Sequence, residues 1–193
     1  MARFRIGAIE AVSVLEDVTV SSPITLVAGL PPDALQSTLS WLAPTFYDVK
    51  SERLRLSKHG WVLRFPRCNV LIEACGGNHK NRPNFPVIHQ LDIPWLERLA
   101  AAGCRPEDIH FVMCSHLHCD HAGWFTRLRG DRWVPTFPNA RYIVSRRELE
   151  NWDPRTRPDP VPPLNEGVFE DSVLPCIEAG LLDSVEDGHE IGR

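Results

Sequence analysis

Polar and apolar positions alternate from residue 3 to residue 16, where Phe4, Ile6 and Ala8 and then Val12 and Val14 are separated by polar or small side chains. A period of two places one set on one face, so this stretch predicts an N-terminal hairpin of half-buried strands. Residues 31–47 combine Pro31-Pro32, a possible short helix over 33–42 and the aromatic group Trp41, Phe46 and Tyr47, the pattern of a surface excursion anchored by its aromatics. Residues 54–65 and 69–75 read as two further strands meeting at Pro66-Arg67. Val70, Leu71 and Ile72 make the second apolar enough to be buried on both faces, and Cys75-Gly76-Gly77-Asn78 signals the turn that ends it.

Helical spacing follows. Asp92 is placed to cap a helix carrying Ile93, Leu96, Leu99 and Ala100 on one face, with Pro94 in its first turn and Gly103 as its left-handed stop. Residues 109–114 (I-H-F-V-M-C) and 141–145 (R-Y-I-V-S) have strand length and composition, and 146–152 begin a helix. The five prolines of 154–163 exclude regular structure there and predict an extended loop or lid. A last helix is expected to open at Asn165, to place Phe169, Val173 and Ile177 at i, i+4 and i+8, to be interrupted at Pro175 and to close near Gly180. Strands alternating with helices, without repeats, predict an α/β fold whose sheets are covered by helices.

At 193 residues, 43% hydrophobic and 24% charged, the chain suits one core and one domain. A formal charge of −4 argues against nucleic acid or an anionic membrane as partner. The first twenty residues lack the apolar run of an export signal or a spanning helix, so a cytoplasmic location is expected. The six cysteines contain no C-x-x-C pair and read as reduced thiols, mostly small core residues.

The chemistry sits at Ser115–Trp124, S-H-L-H-C-D-H-A-G-W, which the strand at 109–114 delivers. His116, His118, Asp120 and His121 are four metal-ligand types within six residues, a pattern expected by chance roughly once in a thousand such chains. In an extended segment His116 and His118 share one side and can meet one ion, while Asp120 and His121, past the turn, face a second. The competing reading, a surface loop with Asp120 as a helix cap, leaves three histidines unexplained. Alternation points Cys119 away from His118, which makes it a packed thiol. His79 and His110 read as surface residues, and Trp124, Phe125, Trp133, Phe137 and Tyr142 as core before pocket. Arg146, Arg147, Glu148 and Glu150 read as a solvated helix face.

At these residues the chain resembles the metallo-β-lactamase superfamily, in particular its hydrolase branch of methyl parathion hydrolases and acyl-homoserine lactone lactonases. L-D-I-P-W-L-E-R-L-A-A-A-G before the motif, C-S-H-L-H-C-D-H-A-G-W within it, and W-V-P-T-F-P-N-A-R-Y and S-R-R-E-L-E after it carry the likeness, which runs from about residue 54 onward. The resemblance implies an αββα sandwich, two zinc ions as cofactor, His116 and His118 on the first zinc, Asp120 and His121 on the second, and Asp120 also orienting a metal-bound hydroxide. It implies hydrolysis of an ester, lactone or related bond in a small-molecule substrate. Relatives carry Asp-Thr where this chain has Glu73-Ala74; Glu73 is expected either to disturb hydrogen bonds behind the site or to reach a strand-end amide or solvent.

The family pattern also needs a third histidine in a T-P-G-H-T-x-G-H-like turn, a bridging aspartate and a final histidine further on. His189 is the one histidine after His121, and its context suits a strand turn better than a ligand. The expectation is therefore a single domain, 1–193, incomplete at its C-terminus, with the first sheet largely complete, the second truncated, and an open edge that makes a homodimer a possible assembly. The alternative function is a non-catalytic metal-binding remnant lacking the downstream ligands.

Overall fold

The computed structural model describes residues 1–31 and 33–191; Pro32 of the Pro-Pro pair and Gly192-Arg193 at the end of the expected 1–193 domain lie outside the described residues. The chain divides into two compact units, one of residues 1–16 with 59 onward, the other of residues 17–58.

The N-terminal hairpin forms as expected from β1 (Arg3–Ile6) and β2 (Ile9–Ser21), antiparallel with Arg3 opposite Val12 and Ile6 opposite Ile9. Ala11, Val12 and Val14 of β2 are fully buried. In the smaller unit come α1 (Pro23–Leu26), α2 (Leu39–Leu42) and β3 (Tyr47–Asp48), which pairs with the first residues of β4 (Arg53–Arg64). The helix expected over 33–42 is reduced to the single turn of α2. Before it the hydroxyls of Ser37 and Thr38 donate to the carbonyls of Ala34 and Leu35, local bonds that favour turns over helix. Of the three aromatics expected to anchor this excursion only Tyr47 is buried; Trp41 and Phe46 are 64% and 52% exposed.

The larger unit continues with β5 (Asn69–Ile72), α3 (Trp95–Ala101), β6 (Phe111–Met113), the hairpin β7 (Thr126–Arg129) and β8 (Arg132–Pro135), β9 (Arg141–Ser145), α4 (Arg146–Trp152), α5 (Leu174–Glu178) and β10 (Leu182–Val185). The large sheet has the order β1-β2-β4-β5-β6-β9-β10, and β7-β8 stand apart. β4 and β5 are antiparallel, whereas β5, β6, β9 and β10 run parallel. This is the expected mixed α/β architecture.

Two helix starts differ from expectation. α3 begins at Trp95 with Pro94 at its N-cap, because the backbone N–H and C=O of Ile93 are both taken by the Asn78 side chain, at 3.0 and 2.9 Å. Asp92 therefore caps nothing, while Gly103 makes the left-handed stop at φ +86°. The last helix begins not at Asn165, which closes a short 3₁₀ turn, but as a π-turn over Phe169–Val173 that runs into α5. Pro175 lies in the first turn of α5, where its missing N–H is tolerated.

The core gathers Leu71, Trp95, Leu99, Leu117, Phe125, Phe137 and Tyr142, all fully buried, and Trp95 stacks on Trp124 at 5.2 Å. One buried polar cluster interrupts it. Lys80, 0% exposed, donates to Thr126 Oγ1 (2.6 Å) and to the Asp171 carbonyl (2.9 Å), and lies 3.6 Å over the Trp133 ring. Arg82 Nη2 reaches Asp171 Oδ1 at 2.7 Å. Burial pulls the Lys80 ammonium down to about 8, against the pull of Asp171.

Candidate metal centre

β5, β6 and β9 are parallel and in register, with Ile72 beside Met113 and Met113 beside Ile143. β5 and β6 thus end together and β9 two residues further on, and whatever follows each is delivered to the carboxyl edge of the sheet, where α/β folds place their sites. After β5 comes Glu73, after β6 the motif, and after β9 the helix α4.

The strand expected over 109–114 delivers the motif, as β6, but His116 and His118 do not lie on an extended continuation of it. β6 stops at Met113, and residues 115–118 are not strand. The local fold is set instead by a turn, with the N–H groups of His121 and Ala122 donating to the His118 carbonyl at 3.0 and 3.2 Å. Side chains do the rest: the Leu117 N–H donates to Glu148 Oε2 (2.8 Å), and the Leu117 carbonyl accepts from Asn165 Nδ2 (2.9 Å). Glu148 is consequently not part of a solvated face.

The turn brings all three histidines together. The His116 ring centroid lies 4.3 Å from that of His118 and 4.1 Å from that of His121. Asp120 Oδ2 lies 3.6 Å from His121 Nε2. His116 occupies the centre, so the grouping is a cluster of three rings with one carboxylate and not two separated pairs. His189, by contrast, is exposed.

Behind the rings, Glu73 reaches the strand-end amide, the second of the two expectations, and also a ring of the motif. Oε1 accepts the Ser115 N–H at 2.9 Å, and Oε2 lies 2.5 Å from His121 Nδ1. Burial works against charge on both partners, yet their hydrogen bond prevails: Glu73 is held below, and His121 above, the ordinary range. For His116, burial and the neighbouring imidazoles of His121 and His118 act together to push the pKa down. Burial also pushes the Cys119 thiol up to about 12, consistent with a packed side chain, although a turn and not strand alternation turns it inward.

The loop after β5 is zipped to the loop after the motif. Ala74 N–H donates to the His121 carbonyl, Gly123 N–H to that of Cys75 and Trp124 N–H to that of Ala74, at 2.9, 2.8 and 2.7 Å. Contact is so close that a Cβ on Gly123 would stand 1.9 Å from the Gly76 carbonyl oxygen. Glu16, 1% exposed, locks the pair by accepting from Gly76 N–H and Gly77 N–H, each at 3.0 Å, and from Trp124 Nε1 at 2.8 Å. Sequence reading missed Glu16, whose only local signal is a carboxylate at the inward phase of an alternating strand. Trp124, Phe125, Phe137 and Tyr142 are buried core residues, as expected.

Among the described residues no group of three or more His, Cys, Asp or Glu donors stands at metal-holding geometry. The donor set nevertheless fits zinc in kind. Nδ1 of His116 is engaged by Ser115 Oγ at 2.9 Å and Nδ1 of His121 by Glu73, which leaves Nε2 of each as the atom available to a metal. A carboxylate on the far nitrogen is the usual support of a zinc-bound imidazole.

Residues 59–189 match the family described as the Metallo-beta-lactamase superfamily. Over 66 residues the chain is 39% identical to the N-acyl homoserine lactonase AttM of Azorhizobium caulinodans and 38% to that of Agrobacterium fabrum; each match covers 34% of this chain and 21% of the lactonase. Among solved structures, the hydrolase AbOPH of the beta lactamase superfamily superposes with a TM-score of 0.73 at 21% identity. AidC, a dizinc quorum-quenching lactonase, does so with 0.67 at 16%, and each comparison covers 98% of this chain and 62% of the other. The chain thus spans about three fifths of these solved chains and about a fifth of the curated relatives. The structural likeness is one of fold, and the family match covers about two thirds of the chain: the chain belongs to the metallo-beta-lactamase superfamily.

Proposed function

We propose that the chain is the metal-binding part of a metal-dependent hydrolase that cleaves an ester, lactone or related bond in a small-molecule substrate. The observation that carries this reading is the meeting of three imidazoles at His116, whose ring lies 4.3 Å from that of His118 and 4.1 Å from that of His121, with the Asp120 carboxylate 3.6 Å from His121. His116 and His118 would hold a first zinc ion, and Asp120 and His121 a second. When bound, zinc would supply a water acidified to a pKa of about 7 and a Lewis acid for the carbonyl under attack. Glu73 keeps the His121 proton on Nδ1 and so presents Nε2, and Ser115 Oγ engages Nδ1 of His116. Asp120, besides holding the second ion, would help orient the attacking water by accepting its hydrogen bond. The names of the lactonase relatives support the substrate class.

The test is zinc content of the purified chain together with turnover of an aryl ester, a γ-lactone and an N-acyl homoserine lactone. Zinc and turnover are expected, with kcat/KM reduced at least about 100-fold in Asp120→Ala. A folded chain that holds no zinc and hydrolyses none of the three overturns the reading. One observation favours the alternative of a non-catalytic metal-binding remnant: among the described residues each ion would have two protein donors, where catalytic zinc keeps three. Stoichiometric zinc without any turnover is the result that selects it. No helix among the described residues is long and apolar enough to cross a membrane. Light scattering tests the homodimer.

A further inference from the structure

We infer that Glu148 and Asn165 are positioning residues which set the geometry of His116 and His118 by gripping the peptide between them. Leu117 is the residue separating the two imidazoles, and its segment has left the sheet, since β6 ends at Met113. No strand neighbour answers its backbone. Both of its polar groups are instead met by side chains from far along the chain: the N–H by Glu148 Oε2 at 2.8 Å, and the carbonyl by Asn165 Nδ2 at 2.9 Å. The Leu117 side chain is fully buried, so the residue is fixed at three points and the flanking rings have little freedom to turn apart.

Two details argue for a role beyond general packing. Glu148 Oε2 also accepts from Trp152 Nε1 at 3.0 Å, and the Trp152 ring meets His118 edge-on at 5.0 Å. One carboxylate on α4 therefore fixes the backbone beside His118 and, one helical turn later, the wall against its imidazole. Asn165 is 5% exposed, and its Oδ1 has no hydrogen-bond partner among the described residues. A leucine, with the same branched heavy-atom skeleton, would avoid that buried acceptor, so what asparagine adds at this position is the bond to Leu117. Neither residue belongs to the His/Asp motif.

The metal readout of this inference rests on the proposed zinc site; the ring geometry does not. Two measurements on the full chain separate them. In the first, a chromophoric chelator competes for zinc with the wild type, Glu148→Ala, Glu148→Gln and Asn165→Leu. Affinity is expected to fall about 10- to 100-fold in Glu148→Ala and Asn165→Leu. Glu148→Gln, whose carbonyl oxygen accepts from the same two donors, should stay close to wild type. In the second, imidazole ¹⁵N–¹H correlation spectra of the metal-free proteins should show His116 and His118 displaced in Glu148→Ala and Asn165→Leu, with His89 and His110 unmoved. Unchanged zinc affinity and unchanged His116 and His118 signals in a folded variant overturn the positioning role, as does a loss in Glu148→Gln equal to that in Glu148→Ala. A wild type that takes up no zinc sinks the hydrolase reading alone, and the spectra then decide the positioning role. If Glu148→Ala does not fold, Asn165→Leu carries the test.

Discussion

Glu73 stands at φ +65°, a left-handed conformation that is uncommon outside glycine. From there one carboxylate reaches both the Ser115 amide and His121 Nδ1. Its pairing makes a signed pH prediction for the metal-free chain. The ion pair is complete only between the depressed pKa of Glu73 and the raised pKa of His121. Its stabilisation is present above the unfolded carboxyl value of about 4.5 and below the unfolded imidazole value of about 6.5, and fades as pH falls through the first folded pKa or rises through the second. Both side chains are about a quarter exposed, so we expect about 1 kcal/mol. Urea denaturation of wild type and Glu73→Gln in chelator should show the largest gap near pH 5.5, narrowing on either side; a gap that widens toward pH 8 contradicts the pairing. At this scale the sequence was informative where chemistry is dense and silent where it is distant. The His/Asp spacing stands out by itself. Glu148 passes for a solvated helix residue because the amide it serves lies 31 residues upstream.

Between elements, the decisive contact is the zipper joining the loop after β5 to the loop after the motif. It leaves no room for a side chain at residue 123. Gly123→Ala must part the two loops, with a cost on the order of 3 kcal/mol, which thermal unfolding would register as a drop of several degrees. A small change here contradicts the packing. Buried thiols supply a second prediction. Burial raises Cys114 and pushes Cys119 and Cys176 up to about 12. Unfolded thiols ionise near 9 and folded ones do not, so stability is untouched below that pH and erodes as pH climbs from it. Alkylation at pH 8 should accordingly label Cys68, half-buried, well before Cys119 or Cys176, as peptide mass mapping would show. Element type was readable from period and punctuation: β1, β2, β4, β5, β9 and α4 lie where alternation or spacing put them. Boundaries were not readable where side chains bind backbone, as Asn78 does at Ile93 and Ser37 and Thr38 do before α2.

In the larger unit as a whole, the Lys80, Arg82 and Asp171 cluster ties a loop near residue 80 to the π-turn that precedes α5. Asp171 faces both cations, at 3.4 and 2.7 Å. Removing it by Asp171→Ala leaves two buried positive charges without their counter-ion, and we expect a loss of about 3–5 kcal/mol by chemical denaturation. Lys80→Met, which keeps the Arg82–Asp171 pair and an apolar stem, should cost clearly less. Equal losses would mean that the cluster acts by volume and not by charge. No periodicity announces such a cluster, because its members lie in loops and its logic is long-range; the α/β class, by contrast, follows from the order of elements alone.

Glu16 sits about 100 residues upstream of the histidines and yet holds the two loops that frame them. A chimera that transplants the segment from Gly76 to Trp124 without Glu16 into a related scaffold would arrive with three N–H groups facing an interior that offers them nothing. Recombination breakpoints between the N-terminal hairpin and residue 124 should therefore yield insoluble or metal-free progeny unless the recipient brings an acidic side chain of its own to that spot.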